Sequence, residues 1–190
     1  MRSLIISLKA ILFFTLISGV LYPLFITGIA RAFFPDNANG TLVVNEGKIA
    51  GSELIGQKFD SVIYFSSRPS ATGYSPLPSG GSNLSITDRR LKEIADTRRR
   101  QFITANMLDS LANVPSEMIF ASASGLDPHI SPQSALMQAG RVASARNFNA
   151  DQRKQLQQLI KDQIESPQFL FLGEERINVL CLNLEVDKIK

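Results

Sequence analysis

The stretch AILFFTLISGVLYPLFITGIA, Ala10 to Ala30, carries no charged side chain. An α-helix rises about 1.5 Å per residue, and about 20 apolar residues cross a bilayer core, so this run is long enough for one span. No second run of that kind follows it. The reading is therefore a single N-terminal transmembrane helix followed by one α+β soluble domain. Residues 1-9 form a short cytoplasmic N-terminus, 10-30 the span and 31-190 the domain. A cleavable signal peptide is the competing reading, with Arg2 as its basic region and Ala30-Arg31-Ala32 as a small-x-small cleavage site. Signal cores are shorter, about 7–15 residues, and cleavage there would leave Phe33 and Phe34 at a water-exposed terminus. A retained anchor fits better than a secreted free domain.

Flanking charge sets the orientation. Arg2 and Lys9 precede the span, whereas Arg31 follows it and is soon met by Asp36. Positive charge resists translocation, so the N-terminus is expected in the cytoplasm and the domain outside the cell membrane. Pro23 removes a backbone hydrogen bond, which predicts a mild kink near Leu21–Pro23. Thr15, Ser18 and Gly19 offer a small-residue surface for partner helices, with a passive lipid anchor as the alternative.

Beyond the span there is room for one compact domain. The chain has a net charge of +3 and a single cysteine, Cys181. That cysteine excludes an internal disulfide, makes a zinc site improbable and sits in an apolar stretch that suggests a buried thiol. The dispersed basic residues give no case for nucleic acid. One cluster, Arg89, Arg90, Arg98, Arg99 and Arg100, is interrupted by Glu93 and Asp96. It reads as a solvated helix surface, or as a contact for anionic lipid or an acidic partner.

After a polar turn at Asp36–Gly40, Thr41–Val44 and Lys48–Ala50 read as a hairpin turning at Glu46-Gly47. Ile63–Phe65 is a short strand candidate, and Arg68–Asn83, rich in Pro, Gly and Ser, is a long loop. A helix is expected over Thr87–Met107 with Leu91, Ile94, Ala95, Arg98 and Phe102 on one stripe. Ser131 as N-cap and Pro132 at the first helical position open a second helix through Arg146. A third opens at Asn149, carries Leu156, Leu159, Ile160 and Ile164 on one face, and stops before Pro167. The alternation in Ile177–Val186 suggests a final strand.

Two segments invite chemistry. In Ser79-Gly80-Gly81-Ser82-Asn83-Leu84 the glycines permit close approach to an anion, and the serines could cradle phosphate. The segment lacks a P-loop lysine and matches neither common nucleotide fingerprint, so a plain turn is the simpler reading. Ser122, Ser124, Asp127 and His129 lie close in sequence and suggest a membrane-anchored extracytoplasmic hydrolase using Ser122 or Ser124 with His129. Triad members usually converge from distant segments, however, and no G-x-S-x-G or H-E-x-x-H is present. Structural or interface use of this segment is the plainer alternative, with Asp127-Pro128 shaping the turn before Ser131.

Several blocks in register carry a family resemblance. They are Gly51-Ser52-x-Leu54-Ile55-Gly56-Gln57-x-Phe59, Tyr64-Phe65, Arg68-Pro69-Ser70-Ala71, Ser79 to Leu84, Ala121 to Asp127, and Arg141-Val142-Ala143-x-Ala145-Arg146. With the single span, this order resembles the C subunits of the Kdp potassium-transporting ATPases, the KdpC family, over essentially the whole chain. Ser85, where a small residue usually follows Leu84, and the Pro128-His129 pair are the minor departures.

The resemblance implies a non-catalytic accessory subunit of the inner membrane with no cofactor, metal or catalytic residue of its own. It implies three partners: a P-type ATPase subunit, a potassium-channel-like subunit and a very small membrane peptide. It further implies help in assembly and a chaperone-like rise in the ATPase subunit's ATP affinity, with Ser79, Gly80, Gly81, Ser82, Asn83 and Leu84 as nucleotide-contacting residues. An outward domain conflicts with direct contact between those residues and cytoplasmic ATP.

Overall fold

The computed structural model describes residues 2–45, 47–169 and 171–189. Its N-terminal helix runs Arg2–Phe33, beyond both ends of the uncharged run, and no residue of its apolar window is buried. Three pieces make it up: α1 (Arg2–Leu16), a π-helical turn (Ile17–Leu21) and α2 (Tyr22–Phe33). The irregularity lies one turn earlier than the kink expected at Leu21–Pro23. A helical proline clashes with the carbonyl four residues back, here Gly19, and widening that turn relieves the clash. The Tyr22 N–H then donates to Ile17 O, five residues back. Ser18 Oγ donates to Phe14 O at 2.5 Å and Thr27 Oγ1 to Pro23 O at 2.7 Å, so the Ser18 hydroxyl is engaged within its own helix.

A short helix α3 (Pro35–Ala38) replaces most of the expected turn at 36–40. The hairpin forms as expected, with β1 (Leu42–Asn45) antiparallel to β2 (Lys48–Ser52) and a bulge between Val43 and Val44. Of its expected turn, Gly47 has φ +76°, and Glu46 lies outside the described residues. The hairpin joins the domain through Gln57 Nε2, which donates to Ala50 O at 3.3 Å, and Asn178 Nδ2, which donates to Glu53 O at 2.8 Å.

Helix α4 (Arg89–Ala105) starts at Asp88, whose carboxylate accepts from Arg90 N. Of its expected stripe only Phe102 is buried, and Ile94 is exposed. The helix rests on the domain by its C-terminal end, against the 3-10 turn Ser116–Met118. Helix α5 (Pro132–Ala145) is capped by Ser131 and closes at Arg146. Helix α6 (Ala150–Asp162) opens on a capping box in which Asn149 and Gln152 each bond the other's backbone. Two residues, β3 (His129–Ile130), pair antiparallel with β4 (Ile177–Asn178).

The expected terminal strand is otherwise a helix, α7 (Val179–Val186). The Asn178 side chain accepts from Leu180 N and Cys181 N and so turns the chain into helix at once. Val179, Leu180, Leu182, Asn183 and Val186 are all buried. A helix wrapped on most sides loses the polar face that would betray its period.

The core unites α5, α6 and α7. Ala135, Val142, Leu156, Ile160, Ile177, Leu182 and Val186 are at most 1 % exposed, and Phe65 from the irregular chain is fully enclosed among them. Burying a side chain of this size stabilises by about 1.5–3 kcal/mol. Cys181 is only half-buried on α7, not enclosed as expected.

Candidate functional site

Ile63–Phe65 was expected as a strand, and the structure has irregular chain there. The reason is that side chains, not a neighbouring strand, take its backbone groups. Phe65 N donates to Asn183 Oδ1 at 2.8 Å, and Asn183 Nδ2 donates back to Phe65 O at 2.9 Å. Gln138 accepts from Ser66 N at 2.8 Å and donates to Ser66 O at 3.3 Å. Arg141 Nη1 donates to Val62 O (2.6 Å) and Tyr64 O (2.9 Å), and Arg146 Nε to Ile63 O (2.8 Å). Segment 62–66 is thus clamped from α5 and α7.

Arg141 is the centre of this clamp and is only 7 % exposed. Its Nε donates to Asn106 Oδ1 and its Nη2 to Gln138 Oε1, both at 2.9 Å. All of these partners are neutral, and burial lowers the guanidinium pKa from its ordinary value. Hydrogen bonds to a charged group contribute about 1.5–3 kcal/mol each, and orphaned buried acceptors cost comparable amounts. Arg146 reaches outward: Nη2 pairs with Asp187 Oδ1 at 2.6 Å, and its guanidinium lies 5.0 Å over the Tyr64 ring.

On this clamped segment the loop Arg68–Asn83 lies against 121–127. Arg68 Nη1 meets Asp127 Oδ2 at 2.6 Å, Ser122 N donates to Pro69 O at 3.1 Å and Gly80 N to Ser124 O at 2.9 Å. Ser70 Oγ accepts from Thr72 N and Tyr74 N, and Tyr74 Oη donates to Arg68 O at 2.6 Å. Two glycines permit the approach. Gly125 has φ +71°, and a Cβ there would stand 2.6 Å from Thr72 Oγ1 and 2.9 Å from Gly80 O. A Cβ on Gly56 would meet Asp127 O at 2.5 Å. Five of the six sequence blocks, from Gly56, Phe65, Arg68 and Gly80 to Ser122–Asp127, thereby become one platform, and the sixth, on α5, holds it from below.

Asp127 ties the platform to β3. Burial alone would raise its carboxyl pKa, but the adjacent His129 ring, the hydrogen bond from the His129 backbone N–H and the Arg68 guanidinium outweigh it and bring the group down to about 2. The His129 ring faces that carboxylate, Nδ1 to Oδ1 3.6 Å. Ser122 is buried, and Ser124 Oγ accepts from Leu126 N at 3.1 Å. Among the described residues no hydrogen bond joins either serine hydroxyl to His129. The hydrolase constellation is therefore not assembled, and Asp127 acts as the turn-former before β3.

Ser79–Leu84 forms the open rim of the platform. Ser79, Ser82 and Asn83 are exposed, and Asn83 has φ +52°. The loop does not run directly into a helix: Ser85–Asp88 intervene, and the Asp88 carboxylate occupies the start of α4 where an anion would otherwise sit. In the basic cluster, Arg89 and Arg90 pair with Glu93 and Asp88. Arg98 and Arg99 donate to the carbonyls of Ile119, Ser110 and Ala112, fastening α4 to the chain that follows it. The Cys181 thiol is pushed up to about 11, by burial first and then by Glu53, Glu165 and Glu185. It is a poor nucleophile near neutral pH.

Gln138, Asn183 and Asn106 were not expected to matter. Their signal is a polar side chain inside an apolar helical run, as Asn183 in VLCLNLEV, which must find buried partners.

Comparison with known proteins bears on the whole chain. Residues 4–188 match the family described as "KdpC: K+-transporting ATPase, c chain". A Photorhabdus laumondii protein is 48% identical over 96% of this chain and 94% of its own length. A Leptospira interrogans protein is 44% identical over 96% and 92%, and one from Mycobacterium tuberculosis 41% identical over 99% of each. All three carry the name Potassium-transporting ATPase KdpC subunit.

Proposed function

This chain belongs to the KdpC family of subunits of potassium-transporting ATPases, and from that premise we propose that it is a non-catalytic accessory subunit. It assembles the pump and steadies it through a rigid domain outside the membrane. Its partners are the ATPase subunit, the potassium-channel-like subunit and the small membrane peptide of the complex. One observation carries this reading: the charged residues Arg68, Asp127, Arg141 and Arg146 of the sequence blocks are engaged in holding backbone and one another. A side chain so engaged is a structural element of a scaffold rather than a free acid, base or nucleophile.

The span lies in the cell membrane with Arg2 and Lys9 on the cytoplasmic side, following the charge bias. The platform then stands near the mouth of the potassium-translocating subunit, where it stabilises the assembly or controls ion access. In that orientation Ser79–Leu84 does not reach cytoplasmic ATP, and any rise in the pump's ATP affinity is transmitted through the partner subunits. The exposed rim and the Asp88 carboxylate beside it support the indirect route.

Sidedness tests this reading. A Ser82→Cys variant in a Cys181→Ser background, assembled with its partners, is treated in intact cells with a membrane-impermeant maleimide. Labelling of intact cells is the expected result. Protection that disappears on lysis, with labelling of the solubilised complex as the burial control, would place the rim inside and restore direct nucleotide contact.

A further inference from the structure

Between α6 and β4 the chain makes a narrow projection. Its base is closed by Glu165 and Arg176, whose backbones exchange hydrogen bonds at 2.8 and 3.2 Å and whose side chains pair at 2.9 Å. Its neck is closed by Gln168 and Leu172, which exchange hydrogen bonds at 2.9 Å each. At the tip Phe169 stands in the left-handed region at φ +53°, a conformation bulky side chains rarely adopt. Phe169 is 80% exposed, Phe171 76% and Leu172 50%. Single exposed apolar residues are ordinary on a protein surface; several on one fastened turn mark a contact.

Leu172 also lines a cleft of about 620 Å³ at the foot of the projection. Glu117, Asp127, Glu174 and Glu175 bring four carboxylates to that cleft, against Arg68 and Arg176. Both arginines are already paired, Arg68 with Asp127 and Arg176 with Glu165. Glu174 and Glu175 are exposed and have no cationic partner among the described residues. An apolar tip thus stands beside an acidic hollow. The acidic side disfavours an anionic lipid surface, which would repel these carboxylates. It favours a protein surface that offers an apolar socket with a basic rim.

We propose that the projection carrying Phe169, Phe171 and Leu172 is a docking peg, seated in an apolar socket of another subunit of the pump, with a lysine or arginine beside the socket entering the acidic cleft. The proposal rests on the subunit reading above and names the surface that reading leaves open.

The test uses the full chain co-expressed with its partner subunits. With p-benzoyl-phenylalanine in place of Phe171, irradiation of membranes followed by peptide mass spectrometry should give an adduct to one partner-subunit segment that carries a Lys or Arg within a few residues. Phe171→Ser, and separately Glu174→Lys with Glu175→Lys, should each lower recovery of the chain in the purified complex about tenfold in 0.5 M salt. All three positions are exposed, so the helical circular dichroism melt of the isolated chain should not move. Adducts confined to lipid or to a second copy of this chain would overturn the peg. So would variants recovered as fully as wild type, or a loss of recovery accompanied by a lowered melt. Wild-type chain that fails to co-purify at all would overturn the subunit reading as well.

Discussion

Segments 62–66 and 79–84 are both irregular chain, and they could hardly be held more differently. The first has side chains from α5, its cap Arg146 and α7 on two N–H groups and all five carbonyls, and it places Phe65 in the core. The second makes one backbone hydrogen bond to the rest of the domain, Gly80 N to Ser124 O, and leaves its serines in water. Absence of regular structure is therefore no measure of rigidity. A loop is as fixed as the side chains that satisfy its backbone.

Removing the clamp should produce the largest effect. Arg141→Met keeps the volume but leaves Val62 O, Tyr64 O and Asn106 Oδ1 without donors, and a loss of about 3–5 kcal/mol is expected. Circular dichroism melts of the detergent-solubilised chain measure it, and hydrogen exchange should show 62–66 opening together. A loss under about 1 kcal/mol would mean that core packing around Phe65 holds the segment without the guanidinium. Gly125→Ala attacks the platform where loop meets loop. With φ +71° and Gly80 O 2.9 Å from the new Cβ, about 2–4 kcal/mol should be lost, read by the same melt.

Acid titrates the contrast. Asp127 is depressed to about 2 in the folded chain against 3.8 for the free group, so its contribution is complete above pH 4 and vanishes as pH falls through about 2. Linkage gives about 2 kcal/mol over that window. Wild type should therefore lose about that much more stability than Asp127→Asn between pH 5 and pH 2. Equal pH profiles would remove Asp127 as a platform tie. Smallest of all, Gly80→Ala on the open rim meets no atom within 4 Å and should change stability by less than about 0.5 kcal/mol. A larger loss would show that the rim is as tightly held as the clamp.

Legibility in the sequence follows the same division. Ser131-Pro132 and Asn149 announce α5 and α6 because a helix cap is a local event, written within four residues. Ile63–Phe65 has β-branched and aromatic strand composition, but its partners Arg141, Arg146 and Asn183 stand 77 to 118 residues away. No local pattern encodes that. Ile177–Val186 misleads for a different reason: burial around α7 removes the polar face that would set its period, while Asn178 as a cap was the signal available. At the candidate site, the shared blocks were visible as residues, yet their mutual contact depends on Gly56 and Gly125, whose value lies in a missing Cβ.

The π turn at Ile17–Leu21 sets the register between the two halves of the N-terminal helix. It adds one residue to the helical path, and one residue is about 100° of rotation. The faces of α1 and α2 are therefore out of phase: a neighbour lying along α1 touches a different stripe from one lying along α2. Deleting Val20 would remove the widened turn and join the side-chain stripes of α1 and α2 into one continuous helical register. The widened turn thereby decides which side chains of α2 share a face with those of α1.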